Sequence, residues 1–496
     1  MYKVAIIGAG VVGAMTARRL AAYDIKLVVL EKENDVAMGQ SKANSGIVHS
    51  GYDPTPGSLK AKLNLKGNAM MEEIARQLNV SFRRNGSLTV AFNSEDCETL
   101  KKLYKRGIEN GVPDLKLISG DEARKIEKNL SDKVVMALYA GTGGIICPYE
   151  LTIEAMGNAM DNGAELVRNF EVSSIEKKNG IFVITDKNGR KTEAEYIVNC
   201  AGLNSDSIAF MAGDNSFKIT PRAGEYMLLD KDAGTLTDTT IFKVPDHMGK
   251  GVLAAKTVDG NIILGPTSVD RTSKTDDDVT AEGLKTVKER ESLFFDEIPF
   301  EKVITQFTGL RAHGDKGDFI INCPVPGFIN AAGIESPGLT SAPAIAVEIE
   351  ELLKENGFSA PENKSYNPTR ATRPVFRNLS PKEKDELSKR LLKYTNQFFE
   401  ETDYFQDVDE FDAEMSEKVN RQVDAMNTLR LLCAYGEIDD LNKKHENVQK
   451  PFNGWKVKIT FETKSPKGFP YRSEYWFILD KKAEIVVKSF EIPLLY

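Results

Sequence analysis

The first thirty residues constrain this chain more than any other stretch. YKVAIIG is an apolar, β-branched run that stops at a glycine, the pattern of a strand buried on both faces. GAGVVG follows, with Gly8, Gly10 and Gly13 spaced as G-x-G-x-x-G, and residues 11–23 (VVGAMTARRLAAY) read as a helix with small residues on one face. A second strand, IKLVVLE, ends at Glu31. In such a βαβ unit Gly8 permits the tight turn. The bare Cα of Gly10 lets a pyrophosphate approach the backbone, and Gly13 with Ala17 lets the helix lie close on the sheet. The helix N-terminus offers free N–H groups and the positive end of its dipole to phosphates. Glu31 lies 18 residues past Gly13, where it can accept from ribose hydroxyls, and its charge disfavours a 2′-phosphate. The unit predicts a dinucleotide site; by itself it does not separate NAD from FAD.

At 496 residues the chain has room for two or three domains. Its 65 basic and 73 acidic residues leave a net charge of −8, which argues against a nucleic-acid partner held by bulk electrostatics. Five cysteines (Cys97, Cys147, Cys200, Cys323 and Cys433) are scattered without a C-x-x-C, which fits free thiols in a reducing compartment and gives no metal signature. With a strand opening at Tyr2, no signal peptide is expected. No apolar run reaches the roughly 18 residues of a membrane span. A cytoplasmic protein is expected, with peripheral membrane contact left open.

Along the chain, residues 32–57 are rich in Gly, Ser, Asn and Pro and predict a closely held loop, and 58–78 return to helical periodicity. A strand is expected at 82–92, a helix at 94–111 and a short helix in GDEARKIEKNL. PYELTIEAMGNAMDNGAELV reads as a helix leading to a strand; strand, hairpin and a buried strand ending at Cys200-Ala201-Gly202 follow. Residues 216–310 are strand-rich: EYMLLD, TTIFKV, GVLAAKTV and NIILGP read as strands, and a helix at 280–295 interrupts the region. A strand, a glycine-rich loop and a helix come next, Pro343 suiting that helix's first turn and Gly357 its end. NPTRATRPVFRN reads as a linker. Ser380-Pro381-Lys382-Glu383 has the form of a capping box, a further helix is expected over about 411–433, and WKVKITFET, RSEYWFIL and EIVVKSFEI read as strands.

Three groups of residues carry candidate chemistry. In Asn44-Ser45-Gly46-Ile47-Val48-His49-Ser50-Gly51, a histidine sits among small residues shortly after the dinucleotide unit. Taken alone it reads as a loop histidine satisfied by backbone groups; beside that unit it reads as a base next to a flavin ring. Gly338, Leu339, Thr340 and Ser341 stand just before a helix, where N–H groups and the dipole would favour a reduced flavin's negative charge; an ordinary capped helix start is the alternative. Lys250 and Arg311 lie on strand-like segments lined by small residues, which suggests an anionic substrate, against the usual solvated surface charge. Tyr226 and Arg222 are candidates for the pocket wall, and His247, His313 and His445 for surface or structural positions.

These motifs together are familiar. GAGVVG, NSGIVHSGYDPTPGSLKAKLN, YIVNCAG, RAGEYMLLD, VPDHMGKGVLAAKTVDGNIILGPT, GLRAHG and GIESPGLTSAPAIA lie in order along roughly residues 1–378. The chain resembles the glycerol-3-phosphate oxidase/dehydrogenase and L-2-hydroxyglutarate oxidase group within the D-amino-acid-oxidase-like flavoenzymes. The resemblance implies an α/β fold: a Rossmann-like FAD-binding domain (1–80, 143–215, 305–358) with an antiparallel-sheet substrate domain (81–142, 216–304). A linker (359–379) and a small α+β domain (380–496) of unrecognised kind complete the expected organisation. It implies FAD contacts from Gly8, Gly10, Gly13, Glu31, Ser41, Asn44, Ser45, Val172, Ala201, Gly338, Leu339 and Thr340. His49 would be the base, Lys250 and Arg311 would hold the substrate's anion, and Ser45 and Ser341 would line the substrate. The implied reaction is oxidation of the secondary alcohol of sn-glycerol 3-phosphate, or of a 2-hydroxy acid, with oxygen, a quinone or a redox protein taking the electrons. A reading of another class makes the protein a flavin-bearing scaffold whose tail, with nine acids and no base over 400–417, docks a partner.

Overall fold

The computed structural model describes residues 1–245 and 251–370, Ser380 and Lys382, and the backbone of three strands within 455–494. Lys250, His247, His445, Pro381 and Glu383 of the expected capping box, and the helix expected over 411–433 lie outside the described residues. The chain divides into two compact units, Met1–Arg373 and Pro374–Tyr496.

The first unit is built around β1 (Tyr2–Ile7), α1 (Val11–Leu20) and β2 (Leu27–Leu30). β1 pairs in parallel with β2 on one side and with Lys191–Asn199 on the other, and β2 pairs in parallel with Glu165–Val167. The second half of Lys191–Asn199 continues the parallel sheet into Phe328–Ala332, while its first half turns antiparallel toward Ile181–Asp186 and Val172–Lys178. Val4 and Ile6 of β1 enter one apolar core, under α1 and the Pro148–Asp161 and Gly338–Glu355 helices. Ala5 and Ile7 enter a second core with Phe182, Ile208 and Phe328. Both faces are covered, which is why β1 reads as a continuous apolar run rather than an alternation.

The second sheet of this unit has nine strands. Its spine is Ile219–Leu229, paired antiparallel along its length with Val303–Gly314. On the spine's other edge the order runs through Ile262–Gly265, Leu253–Lys256, Thr240–Lys243, Ser87–Ala91, Met136–Ala140 and Leu115–Ser119. Every pair is antiparallel except Thr240–Lys243 with Ser87–Ala91. A Rossmann-like layer joined to an antiparallel sheet is therefore the architecture. In the second unit, Trp455–Lys464, Pro470–Leu479 and Val486–Leu494 form one antiparallel sheet, at the three stretches the alternation predicts.

Several expectations need correction. The strand expected at 82–92 is two strands in different sheets, Phe82–Arg83 and Ser87–Ala91, because Asn85-Gly86 turns the chain and Gly86 takes φ +69°. Pro343 does not open its helix: the helix begins at Gly338, after Pro337, and Pro343 sits inside it. The strands at Leu115–Ser119 and Met136–Ala140 carry too little alternation to stand out. The described part of the linker-like stretch lies along the α1 layer. Arg18 donates to Pro368 O, Asn158 to Asn367 O, and Arg370 bridges Glu154 and Asp161 at 2.6 and 2.8 Å.

The β1–α1 turn has no room for side chains. A Cβ on Gly13 would stand 1.9 Å from Gly8 O, and one on Gly8, whose φ is +105°, would stand 2.4 Å from Cys200 O. Both neighbours are backbone atoms with nowhere to go. Gly13→Ala is expected to lower the stability of the apoprotein by about 1–3 kcal/mol through overpacking. A urea midpoint equal to that of the parent would show that the turn yields instead.

Candidate functional site

The two sheets enclose a cavity of about 810 Å3 that runs from the β1–α1 turn to the inner face of the nine-stranded sheet. At one end stand Gly8, Gly10 and Val11 from the turn and Glu31 from the end of β2. Two of the N–H donors around the helix start are met by side chains brought from elsewhere. Ser41 Oγ accepts from Val11 N–H at 2.8 Å, and Glu31 Oε2 accepts from Ala9 N–H at 2.6 Å. Glu31 Oε1 takes Glu33 N–H at 2.9 Å. Burial raises the Glu31 carboxyl above its ordinary value, against the pull of those two N–H groups. A Cβ on Gly10 would meet Ser41 Oγ at 3.2 Å, so the floor of this end is bare backbone.

The middle of the cavity is walled by Ser41, Asn44, Ser45, Val172, Ala201 and the helix start at Gly338 and Leu339. Asn44 is engaged in its own loop, donating to Gln40 O and Ser41 O and accepting from Gly46 N–H. Gly13 does not reach the cavity; its bare Cα lets α1 close on the turn. Thr340 and Ser341 are fully buried just behind the wall, and their side chains do not line the cavity. Thr340 Oγ1 accepts from His49 N–H at 2.9 Å and Ser341 Oγ bonds Pro337 O at 3.1 Å.

His49 follows the two-residue strand Ile47–Val48 and faces the far end of the cavity. Its Nε2 lies 3.2 Å from Ser336 Oγ, and its ring stacks on Phe242 with centroids 5.8 Å apart. Across from it the nine-stranded sheet presents Arg222, Tyr226 and Arg311. Arg222 and Arg311 are directly opposed in register, an arrangement that repels unless each charge is met. Arg222 is met by Asp270, at 2.6 Å. Among the described residues, Arg311 bonds only a neutral carbonyl, Thr267 O at 3.1 Å, and a Cβ on Gly224 would stand 2.5 Å from its guanidinium. Its positive charge therefore faces the cavity uncompensated by a described carboxylate. Lys60 and Lys274 also line the cavity but are paired with Glu335 and Asp206.

Sequence reasoning missed Phe242, Ser336 and two asparagines behind His49, Asn64 and Asn68, whose amides both donate to its carbonyl. A signal existed for the asparagines: they stand at i and i+4 on the apolar stripe of α2 (Leu59–Leu78), where polar residues are out of place. His313, expected to be structural, pairs with Glu335 at 3.1 Å. Among the described residues no cluster of His, Cys, Asp or Glu could hold a metal, and no helix is long and apolar enough to cross a membrane.

The bare-backbone cradle, the N–H groups at the start of α1, the acid closing β2 and a cavity large enough for a dinucleotide fit FAD. Gly8, Gly10, Glu31 and Ser41, with Ala201, Gly338 and Leu339, are the lining residues that could hold it.

Glu335, next to Ser336, gives this site a pH dependence. Burial by itself would raise its carboxyl, but Lys60 and His313 outweigh burial and hold it below the ordinary glutamate value. A depressed folded-state pKa adds stability above the unfolded value of roughly 4.3, and that stability is lost as pH falls through the folded value. Lys60→Met is expected to cost about 1.5–3 kcal/mol at neutral pH, the worth of a charged hydrogen bond. The gap from the parent should close as the pH falls below the ordinary glutamate range and Glu335 protonates. Urea melts at neutral and acid pH check this; a gap constant with pH would place the loss in packing.

Comparison with known proteins agrees with this geometry. Residues 3–352 match the family model described as FAD dependent oxidoreductase (DAO). A glycerol 3-phosphate dehydrogenase of Caloramator mitchellensis is 47% identical over 393 residues, covering 79% of this chain and 82% of the relative. The mitochondrial L-2-hydroxyglutarate dehydrogenase of Bos taurus is 34% identical over 284 residues, 54% of this chain and 61% of that protein. The dithionite-reduced, FAD-bound structure of L-α-glycerophosphate oxidase from Mycoplasma pneumoniae superposes with a TM-score of 0.72 at 29% identity, over 75% of this chain and 99% of the other. The chain belongs to the DAO family of FAD-dependent oxidoreductases.

Proposed function

We propose that this protein oxidises the secondary alcohol of sn-glycerol 3-phosphate to dihydroxyacetone phosphate. The observation that carries the reading is the pairing, in one cavity, of an imidazole at the end of the FAD cradle with a guanidinium whose charge no described carboxylate meets. A small anion with a hydroxyl on the neighbouring carbon suits that pair. The extent of the likeness to a glycerol 3-phosphate dehydrogenase, 79% of this chain at 47% identity, supports the phosphorylated substrate over a 2-hydroxy acid.

FAD, when bound, supplies the acceptor for the hydride. The chain's own residues do the rest. Arg311 holds the substrate's anionic group through its forked N–H donors, fixed in direction by Thr267 O. Lys250, three residues before the Leu253–Lys256 strand, is assigned as its companion by the family resemblance. His49 takes the hydroxyl proton; Ser336 Oγ at its Nε2 and the Phe242 ring hold the imidazole plane. Base catalysis of this kind contributes about 10²–10⁴-fold, and the positioning of the anion supplies a further share. Ser45 lines the same space. The discontinuous division into an FAD-binding layer and a substrate sheet is part of this reading, and oxygen, a quinone or a redox protein completes the cycle.

Anaerobic titration of the yellow holoenzyme tests the reading directly: glycerol 3-phosphate should bleach the visible band, and bleaching by L-2-hydroxyglutarate alone would sink it. His49→Ala should keep FAD bound while slowing flavin reduction in stopped flow by roughly 10²–10⁴-fold. Arg311→Met should raise the substrate concentration for half-saturation about ten- to a hundredfold, the loss of one charged hydrogen-bonded contact. A fall in limiting rate with unchanged saturation would mean that Arg311 does not bind the anion.

A further inference from the structure

Past Val48 the chain leaves its sheet, and among the described residues no strand pairs with the next carbonyls. Buried carbonyls must still find donors, and here the donors are side chains. Asn64 and Asn68 of α2 donate to His49 O at 2.8 and 3.0 Å. Asn110 donates to Gly51 O and Pro54 O at 3.0 and 2.9 Å, and Arg106 to Asp53 O at 2.6 Å. From the opposite side Thr340 Oγ1 takes the His49 N–H. The His49 backbone is thus gripped at both ends by two helices. They cross so closely that a Cβ on Gly67 would stand 2.1 Å from Thr340 O.

Asn64 has a second face. It is fully buried, its amide nitrogen is used on His49, and its Oδ1 has no partner among the described residues. Ser50 Oγ, on the residue after His49 and 2% exposed, likewise has none among the described residues. Both residues line a second cavity of about 40 Å3, which shares His49, Phe242 and Gly251 with the large one. Two such groups left unpaired in the interior would be costly. A water needs roughly 10–15 Å3 of this kind of space and at least two polar partners, and the small cavity meets both conditions.

We propose that Asn64 is the positioning residue for His49, holding its carbonyl directly and its following residue through a water shared with Ser50 Oγ. The inference rests on the reading of His49 as the base. An amide is the side chain this place needs: its NH2 gives to the carbonyl while its oxygen takes from the water. Leucine, of similar size, can do neither. A base works only within hydrogen-bond reach of its proton, and a displacement of about 1 Å can cost on the order of a hundredfold.

The test uses the FAD-loaded enzyme and four variants: Asn64→Leu, Ser50→Ala, His49→Ala and the Asn64→Leu/His49→Ala double. Asn64→Leu should retain the flavin spectrum, leave half-saturation within about threefold, and slow flavin reduction by roughly 10–100-fold. Its crystal structure should show the imidazole moved off Ser336 Oγ. Ser50→Ala, a milder change that removes only the water's contact, should slow reduction by about three- to tenfold. In the His49→Ala background the Asn64→Leu change should add less than about twofold, because the two act through one group. A crystal structure of the parent should show the water within hydrogen-bond distance of both atoms. Parent-like reduction in both Asn64→Leu and Ser50→Ala, an equal slowing with and without His49, or a dry small cavity would each overturn the proposal. Full-rate reduction by His49→Ala alone would instead overturn the reading of the base, so the two failures are distinguishable.

Discussion

Much of this molecule depends on the contact between the backbone of the β1–α1 turn and its own helix. Gly8 O lies so near the Cα of Gly13, and Cys200 O so near that of Gly8, that no side chain fits at either place. That closeness brings the start of α1 to the C-terminal edge of the parallel sheet. Its first N–H groups then face a crevice, and an anionic cofactor is favoured by dipole and by donors together. Ser41 and Glu31 each take one of the donors there, which ties the loop after β2 and the end of β2 itself to the same point. The thiol of Cys200, which packs against this turn, is pushed up to about 12 by burial and so stays protonated and chemically quiet.

The opposite wall works by sorting charge. Arg222, Lys60 and Lys274 each have a carboxylate beside them, in Asp270, Glu335 and Asp206. Arg311 has a carbonyl. In a partly closed space that difference favours Arg311 over those three in attracting an incoming anion, since a neutralised pair offers little field. Register produces it: the strand pairing sets Arg222 between Arg311 on one side and Asp270 on the other, so the carboxylate satisfies only one of the two arginines.

Local patterns carried the first unit's parallel layer well. Continuous apolar runs mark strands covered on both faces, and glycine spacing marks the turn, because both depend on near neighbours in the chain. They carried the helix at Gly338 less well. Two prolines compete to open it, and Pro337 does, leaving Pro343 inside. The strand expected over 82–92 failed for a related reason. Strand-like residues lie on both sides of Gly86, but the partners of the two halves, Gly144–Ile146 and Met136–Ala140, belong to different sheets and only the tertiary fold supplies them.

By itself the sequence determined the dinucleotide cradle, the small residues around His49, and a cation at position 311 on a strand. Each is a matter of residue type and short spacing. Only the tertiary structure decided what those residues face. It made Thr340 a hydrogen-bond acceptor for His49 rather than part of the cavity wall, set Asn64 and Asn68 on the His49 carbonyl, and left Arg311 without a carboxylate among the described residues. These outcomes join residues tens to hundreds of positions apart. Such pairings depend on how helices cross and strands register, which packing settles and local pattern does not encode.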